Sequence, residues 1–273
     1  MKKLLTLLLT LVLTLGCVVG FTACGGDEGK YVANGIEGVE VEEFGFAIGK
    51  NSSKKTEILA AMNKVIGETD VTAVIDYYTA IYEYKTPSNT LTFPNLDDNT
   101  AGILNVYTES GFAPFEFVDD NENVIGVDIY LMSLVCEELN MKINVVDMLF
   151  DGICGKVATE DNAVGAAGIT INAERQETLD FSTPYVSSAQ YIISTKDQAY
   201  TKLEQLAGKK IGVQKGTTGF FLIDDAIQNG VLKDTGAVVV EYDSGPVAFT
   251  ALKTDKVDVV VLDKLPALSL VNQ

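Results

Sequence analysis

Histidine and tryptophan are absent from these 273 residues, and basic side chains are outnumbered, 20 Lys and Arg against 38 Asp and Glu. Without histidine there is no Ser-His-Asp or Cys-His catalytic set and no imidazole metal ligand. The acid excess, a formal charge of −18 with a pI near 4.3, creates a field that repels nucleic acid and anionic lipid headgroups, so nucleic acid is excluded as a partner. Cysteine is scarce: two of the 4 fall near the N-terminus, leaving Cys136 and Cys154. Both lie in segments that read as helical, and nothing in the sequence positions them for a disulfide. They read as small buried apolar residues. What the chain does have is apolar side chains, 47% of the total with 21% charged, enough for one large or two modest cores.

The first residues, "MKKLLTLLLTLVLTLGCVVGFTACGG", combine two lysines, a long apolar run and small residues before a Cys. That is the pattern of a secretory leader, here residues 1–23. "FTAC" resembles a bacterial lipobox, which implies cleavage before Cys24, lipidation of Cys24 and a flexible tether over 24–29. "TLGC" ending at Cys17 is a weaker match, and an uncleaved membrane span is the alternative. Either way the remainder lies outside the cytoplasm.

Apolar runs rich in β-branched residues occur at 103–107, 142–146, 163–169, 210–214, 238–242 and 257–262, separated by helical patterns. The prediction is an α/β fold built on mostly parallel, doubly wound sheets. No internal repeat is evident. "KTPSNTLTFPNLDDNTA", residues 85–101, is polar and broken by Pro87 and Pro94, and reads as a linker. Upstream of it, Ile58, Leu59, Met62, Val65 and Ile66 form one apolar helical stripe, and Val71, Val74, Ile75, Tyr78, Ile81 and Tyr82 a second.

Chemistry concentrates in "AAGITINAERQETLDFSTPYVSS", 166–188. A strand ends at Gly168, Thr170 follows in a turn, and Arg175 comes five residues later. Carbonyl ends of strands in such sheets face a ligand crevice. A guanidinium there offers a planar fork to a carboxylate, although a surface salt bridge would use the same residue. The glycine-rich "GVQKGTTG" lacks the spacing of a phosphate-binding loop. "DDNENVIG" lacks the ligand spacing of a calcium loop and reads as a hairpin turn.

"AGIT...ER....DFSTPY", "SGFAPFEF", "GVDIYLMSLVCEELN", "LFDGI", "GKKIGVQKGTTG" and "VDVVVLDKLPA" resemble, in the same order, segments of bacterial extracellular solute-binding proteins of family 3, which serve importers of polar amino acids. The resemblance covers residues 103–273. It implies a two-lobed fold of the periplasmic-binding-protein type II class, with a free amino acid enclosed between the lobes, and no cofactor or metal. Arg175 is then expected to hold the ligand α-carboxylate with Thr170, Thr218 and their neighbours Gly168 and Thr217. The helix expected after "GTTG" would add N-terminal N–H groups. Asp263 would take the α-ammonium, with an N-cap for the following helix as its other use. Phe112 and Phe150 match aromatic walls of the family, with simple core packing as the alternative, and Glu109 and Gln214 match side-chain selectors. The implied partners are a free amino acid, the transmembrane subunits of an ABC permease and, through the lipid, the membrane; the expected state is a monomer. A sensory module or a small dehydratase on the same fold are the other readings.

The family's chain continues past the segment matching Val257–Asp263 with a helix, a return strand and two closing helices. Here residues 30–82 resemble that missing tail, so the chain is expected to be circularly permuted. One lobe would comprise 47–84 with 102–190, the other 30–46 with 191–273, and 85–101 would join the family's usual ends. A truncated chain with an unrelated N-terminal extension is the alternative.

Overall fold

Apart from the run at 163–169, the apolar stripes and β-branched runs form the helices and strands they predict, in a computed structural model that describes residues 29–273. Cys24 and the leader, with the cleavage and lipidation expected there, lie outside the described residues. The chain opens with three short strands, β1 (Tyr31–Gly35), β2 (Glu42–Phe44) and β3 (Ala47–Gly49). Two amphipathic helices follow. α1 (Lys55–Glu68) buries Ile58, Ala61, Met62 and Val65, and α2 (Val71–Tyr82) buries Val74 and Tyr78 and starts where Asp70 accepts the Ala73 N–H at 3.1 Å.

After the proline-broken stretch come β4 (Ile103–Thr108), the small strands β5 (Gly111–Phe112), β6 (Glu116–Val118) and β7 (Val124–Ile125), and helix α3 (Val127–Glu138). "DDNENV" is indeed the turn of a hairpin, since β6 pairs antiparallel with β7. The Asp119 carboxylate holds it by accepting the N–H groups of Asn121 and Asn123, each at 2.8 Å. Then follow β8 (Lys142–Asp147), α4 (Phe150–Thr159), β9 (Ala163–Gly165), β10 (Leu179–Phe181), β11 (Val186–Ser188) and β12 (Gln190–Thr195). The last third is a plain alternation: β13 (Lys210–Gln214), α5 (Thr218–Gln228), β14 (Val238–Tyr242), α6 (Gly245–Lys253), β15 (Val259–Asp263) and α7 (Lys264–Val271).

These strands make two five-stranded sheets, β10-β3-β9-β4-β8 in lobe 1 and β1-β12-β15-β13-β14 in lobe 2. The expectation of mostly parallel sheets needs correction: in each sheet two neighbour pairings are parallel and two antiparallel. The antiparallel pairings all involve strands from 31–49 and 179–195, the stretches that pass between the lobes. Both sheets are covered on two faces, which explains their continuous apolar runs. α1, α2 and α3 pack around Leu104, Val106 and Leu131 in lobe 1, and Phe44 and Phe46, expected with the other lobe, join this core instead; α4 covers the opposite face around Ile153 and Ile169. Lobe 2 has Phe249, Val260 and Leu270 on one face and Ile211, Ile223 and Val261 on the other.

The lobes are joined where β2 pairs antiparallel with β11. Residues 85–101 are more than a spacer. Leu91 and Leu96 pack on the lobe 1 core, Thr92 O accepts from the Tyr130 hydroxyl at 3.1 Å, and the Asn99 amide donates to Cys136 O and Met141 O. Cys136 and Cys154 carry free thiols; burial pushes the Cys136 thiol up to about 12.

Candidate functional site

The strand expected over 163–169 ends early, at Gly165, because the chain turns out of the sheet and into the cleft. Gly168 makes that turn possible. Its φ of +55° is a left-handed conformation, and a Cβ there would lie 2.4 Å from Phe112 Cε1. Behind the turn, the wholly buried Asp128 accepts the Gly168 N–H at 3.0 Å and the Tyr185 hydroxyl at 2.8 Å. Burial raises the Asp128 carboxyl to about 7. The next residues bond to β2, Gly45 N–H to Ile169 O and Ile171 N–H to Glu43 O, which sets Thr170 beside the crossing strand.

All ten ligand-site residues expected from the sequence line one cavity between the lobes: Glu109, Phe112, Phe150, Gly168, Thr170, Arg175, Gln214, Thr217, Thr218 and Asp263. They close around a small space, about 270 Å³ including the part open to solvent. Arg175 is the only arginine in the chain. It sits in a 3-10 turn, Arg175–Glu177, with its guanidinium donating to Thr170 O at 2.9 Å and, across the cleft, to Gly216 O at 3.4 Å. The face of Phe150 lies 5.4 Å from the guanidinium carbon, a cation–π contact that fixes the fork in place.

From the other lobe, Asp263 ends β15 and is 6% exposed. It stands at the N-cap position of α7, but its side chain makes no cap bond. Oδ1 instead accepts from the Ser188 hydroxyl and the Gln190 amide, both at 3.1 Å. Burial, followed by the neighbouring charge of Glu42, raises this carboxyl to about 7. Thr217 does cap its helix: its hydroxyl accepts the Phe220 N–H at 3.2 Å and donates to Gln214 O at 2.8 Å. The bond from Phe220 satisfies one of the first-turn N–H groups of α5, whose N-terminal residues Thr217 and Thr218 line the cavity.

The two selectors meet across the cleft. Gln214 Nε2 donates to Glu109 Oε2 at 3.0 Å, while Glu109 Oε1 accepts the Gly111 N–H at 3.1 Å. Burial pushes Glu109 up to about 7, against the opposing pull of Gln214. Gln214 Oε1 is buried with no hydrogen-bond partner among the described residues. At the rim, Lys215 pairs with Asp151 at 2.7 Å, one residue from each lobe.

Two features depart from expectation. The Thr170 and Thr218 hydroxyls, expected on a ligand carboxylate, both donate to Glu42 Oε2, at 2.6 and 2.7 Å. Glu42 itself is missed by the sequence reading, as are Gln190, Ser188 and Asp128. A signal existed for Glu42: it shares a strand face with the fully buried Phe44 two residues on, an inward-facing charge on an apolar strand. Counting three carboxylates, Glu42, Asp263 and Glu109, against one guanidinium, the site is acidic when all are ionised.

Residues 104–237 match the bacterial extracellular solute-binding proteins, family 3. A solved structure of an ancestral arginine-binding protein bound to arginine is 39% identical, with a TM-score of 0.57 over 63% of this chain and 74% of that one. The ancestral amino acid-binding protein AncCDT-1, a precursor of cyclohexadienyl dehydratase, is 31% identical, with a TM-score of 0.53 over 59% of this chain and 70% of that one. A putative ABC transporter arginine-binding protein 2 of Escherichia coli (strain K12) is 30% identical over 62% of this chain. The match spans about two thirds of that protein's length, 66%. The chain belongs to family 3 of the bacterial extracellular solute-binding proteins, and its two-lobed α/β fold is of the type II periplasmic-binding class.

Proposed function

We propose that this protein captures a free amino acid with a cationic side chain outside the cytoplasm and delivers it to an ABC permease. The observation that carries the reading is charge arrangement. Arg175 in lobe 1 is placed to hold an α-carboxylate and Asp263 in lobe 2 an α-ammonium, and Glu109 with Gln214 lines the same cavity, where a side-chain cation would lie. The acid excess around the cavity matches a ligand of net positive charge. Several relatives are themselves arginine-binding proteins, which points the same way. Because ligand contacts come from both lobes, the closed form binds more tightly, which is the differential affinity that drives closure.

The finer parts of the reading are a lipid anchor on Cys24, a monomeric state and a circularly permuted order. Support for permutation is spatial. α7 packs beside β1, and Tyr31 and Gln273 line the same surface groove, so the family order could run from 273 to 30 without rearranging either lobe. An enzyme reading has one feature in its favour, the buried Glu109, whose carboxyl burial raises to about 7.

Calorimetric titration of the protein with free amino acids and their α-amides tests the binding reading. Micromolar or tighter binding of arginine or lysine, lost on amidation, is expected. Heat with no basic amino acid would overturn the cationic ligand, and turnover of a bound ligand would move the protein to the enzyme class.

A further inference from the structure

Glu42 lies on β2, which pairs with β11 where the chain passes between the lobes. Its carboxylate is engaged from three sides. Oε2 takes the hydroxyl of Thr170 from lobe 1 at 2.6 Å and that of Thr218 from lobe 2 at 2.7 Å. Oε1 takes the amide of Gln190 at 3.2 Å, and the same amide donates to Asp263. A hydroxyl has a single proton to give. With both protons directed at Glu42, Thr170 and Thr218 present lone pairs to the cavity, and a ligand carboxylate is left to Arg175 and the N–H groups at the start of α5.

We propose that Glu42 is a positioning residue for lobe closure, a carboxylate on the crossing strand that collects one hydroxyl proton from each lobe. The clasp can be complete only when Thr170 and Thr218 approach each other, so it favours the closed cleft. It also fixes the direction from which both threonines face the ligand. Hydrogen bonds to a carboxylate are about twice as strong as neutral ones, and here two converge on one oxygen. Through Gln190, the clasp is joined to the group proposed to hold the ligand ammonium.

The assignment rests on the amino acid reading for the ligand's identity only; the clasp is defined by contacts within the protein. Small-angle scattering without and with arginine, together with arginine calorimetry, tests it on wild type, Glu42→Ala, Glu42→Gln, Thr218→Val and the Glu42→Ala/Thr218→Val double variant. Glu42→Ala is expected to enlarge the ligand-free radius of gyration and weaken arginine by about 10- to 100-fold. Glu42→Gln retains a carbonyl that can accept both hydroxyls once the Gln190 amide turns over, so it should recover most of that loss. The double variant should lose no more than Glu42→Ala alone, because both changes remove one shared bond.

An unchanged radius and affinity in Glu42→Ala, a tighter arginine site, or additive losses in the double variant would each overturn the clasp. Were wild type to bind no amino acid, the functional reading would fail separately. The ligand-free radii of wild type and Glu42→Ala would still decide the clasp, equal values counting against it.

Discussion

Lobe 1 and lobe 2 carry sheets of the same size and the same mixture of pairings, yet they contribute opposite chemistry to the cleft. Lobe 1 supplies the guanidinium of Arg175 and the rings of Phe112 and Phe150, backed by an aromatic core in which Phe46 stacks on Tyr185 at 4.4 Å and Phe44 meets Phe115 edge-on. Lobe 2 has a core dominated by aliphatic residues and supplies Asp263, Gln214 and the N-terminus of α5. Neither half has the full set of partners for an amino acid. In the proposed reading each lobe is half a site, and a ligand held by both would close the cleft.

The hardest test of that division is to remove each half in turn. Arg175→Ala and Asp263→Asn should each cost about 2–5 kcal/mol of binding, enough to bring a micromolar site to or beyond the reach of calorimetry. Comparable losses from both lobes would establish the half-site arrangement. An Asp263→Asn variant that keeps its affinity would place recognition in lobe 1 alone.

Glu109 gives a narrower test because it should alter preference more than strength. Glu109→Gln exchanges a carboxylate for an amide at the end facing the ligand side chain. The ratio of arginine to glutamine affinity should fall by at least about tenfold, since a hydrogen bond to a charged group is worth ~1.5–3 kcal/mol. Parallel titrations with both ligands check it, and an unchanged ratio would remove Glu109 from the selector role.

Acidity acts on both lobes together. Asp263 and Glu109 are each raised to about 7 by burial, and a cationic ligand needs both ionised. Affinity should therefore climb as pH rises from 5.5 toward 7 and flatten above about 7.5, with proton release on binding at pH 6.5. Stability of the ligand-free protein should run the other way. A carboxyl raised on folding contributes fully below its unfolded pKa, and that contribution is lost as pH climbs through the folded one. Calorimetry in buffers of different ionisation heat would detect the released protons; identical heats in every buffer would show the acids already ionised.

How much of this could be read from the sequence differs between the lobes. In lobe 2, β13 and β14 match their β-branched runs to the residue, because alternating parallel strands and helices leave a simple apolar signature. Lobe 1 was harder to read at β9, where Ala166–Ile169 continues the apolar run but leaves the sheet for the Gly168 turn. Continuous hydrophobicity reports burial, and burial persists through a turn packed under Phe112. The ten site residues were legible through motif order, and their convergence on one cavity follows from the loops at the strand ends. Glu42, Gln190 and Asp128 act on other side chains, so no ligand motif marks them.

The smallest effect should come from rearranging the chain. A version that begins at Asp98, runs to Gln273, passes through a short glycine–serine spacer to Lys30 and ends at Asp97 keeps every element of both lobes and all of the 85–101 segment in place. The cut falls between two exposed residues, and Gln273 already lies in the groove lined by Tyr31. Changing which loop is closed alters the entropy of closure by only about 0.6 kcal/mol per doubling of length. The rearranged protein should keep its ligand affinity within about threefold and melt within roughly 2–4 °C of the original for each kcal/mol changed. A rearranged chain that folds but loses binding would show that the connection through 85–101 also sets the lobe geometry. One that behaves like the original would place all recognition in the lobes.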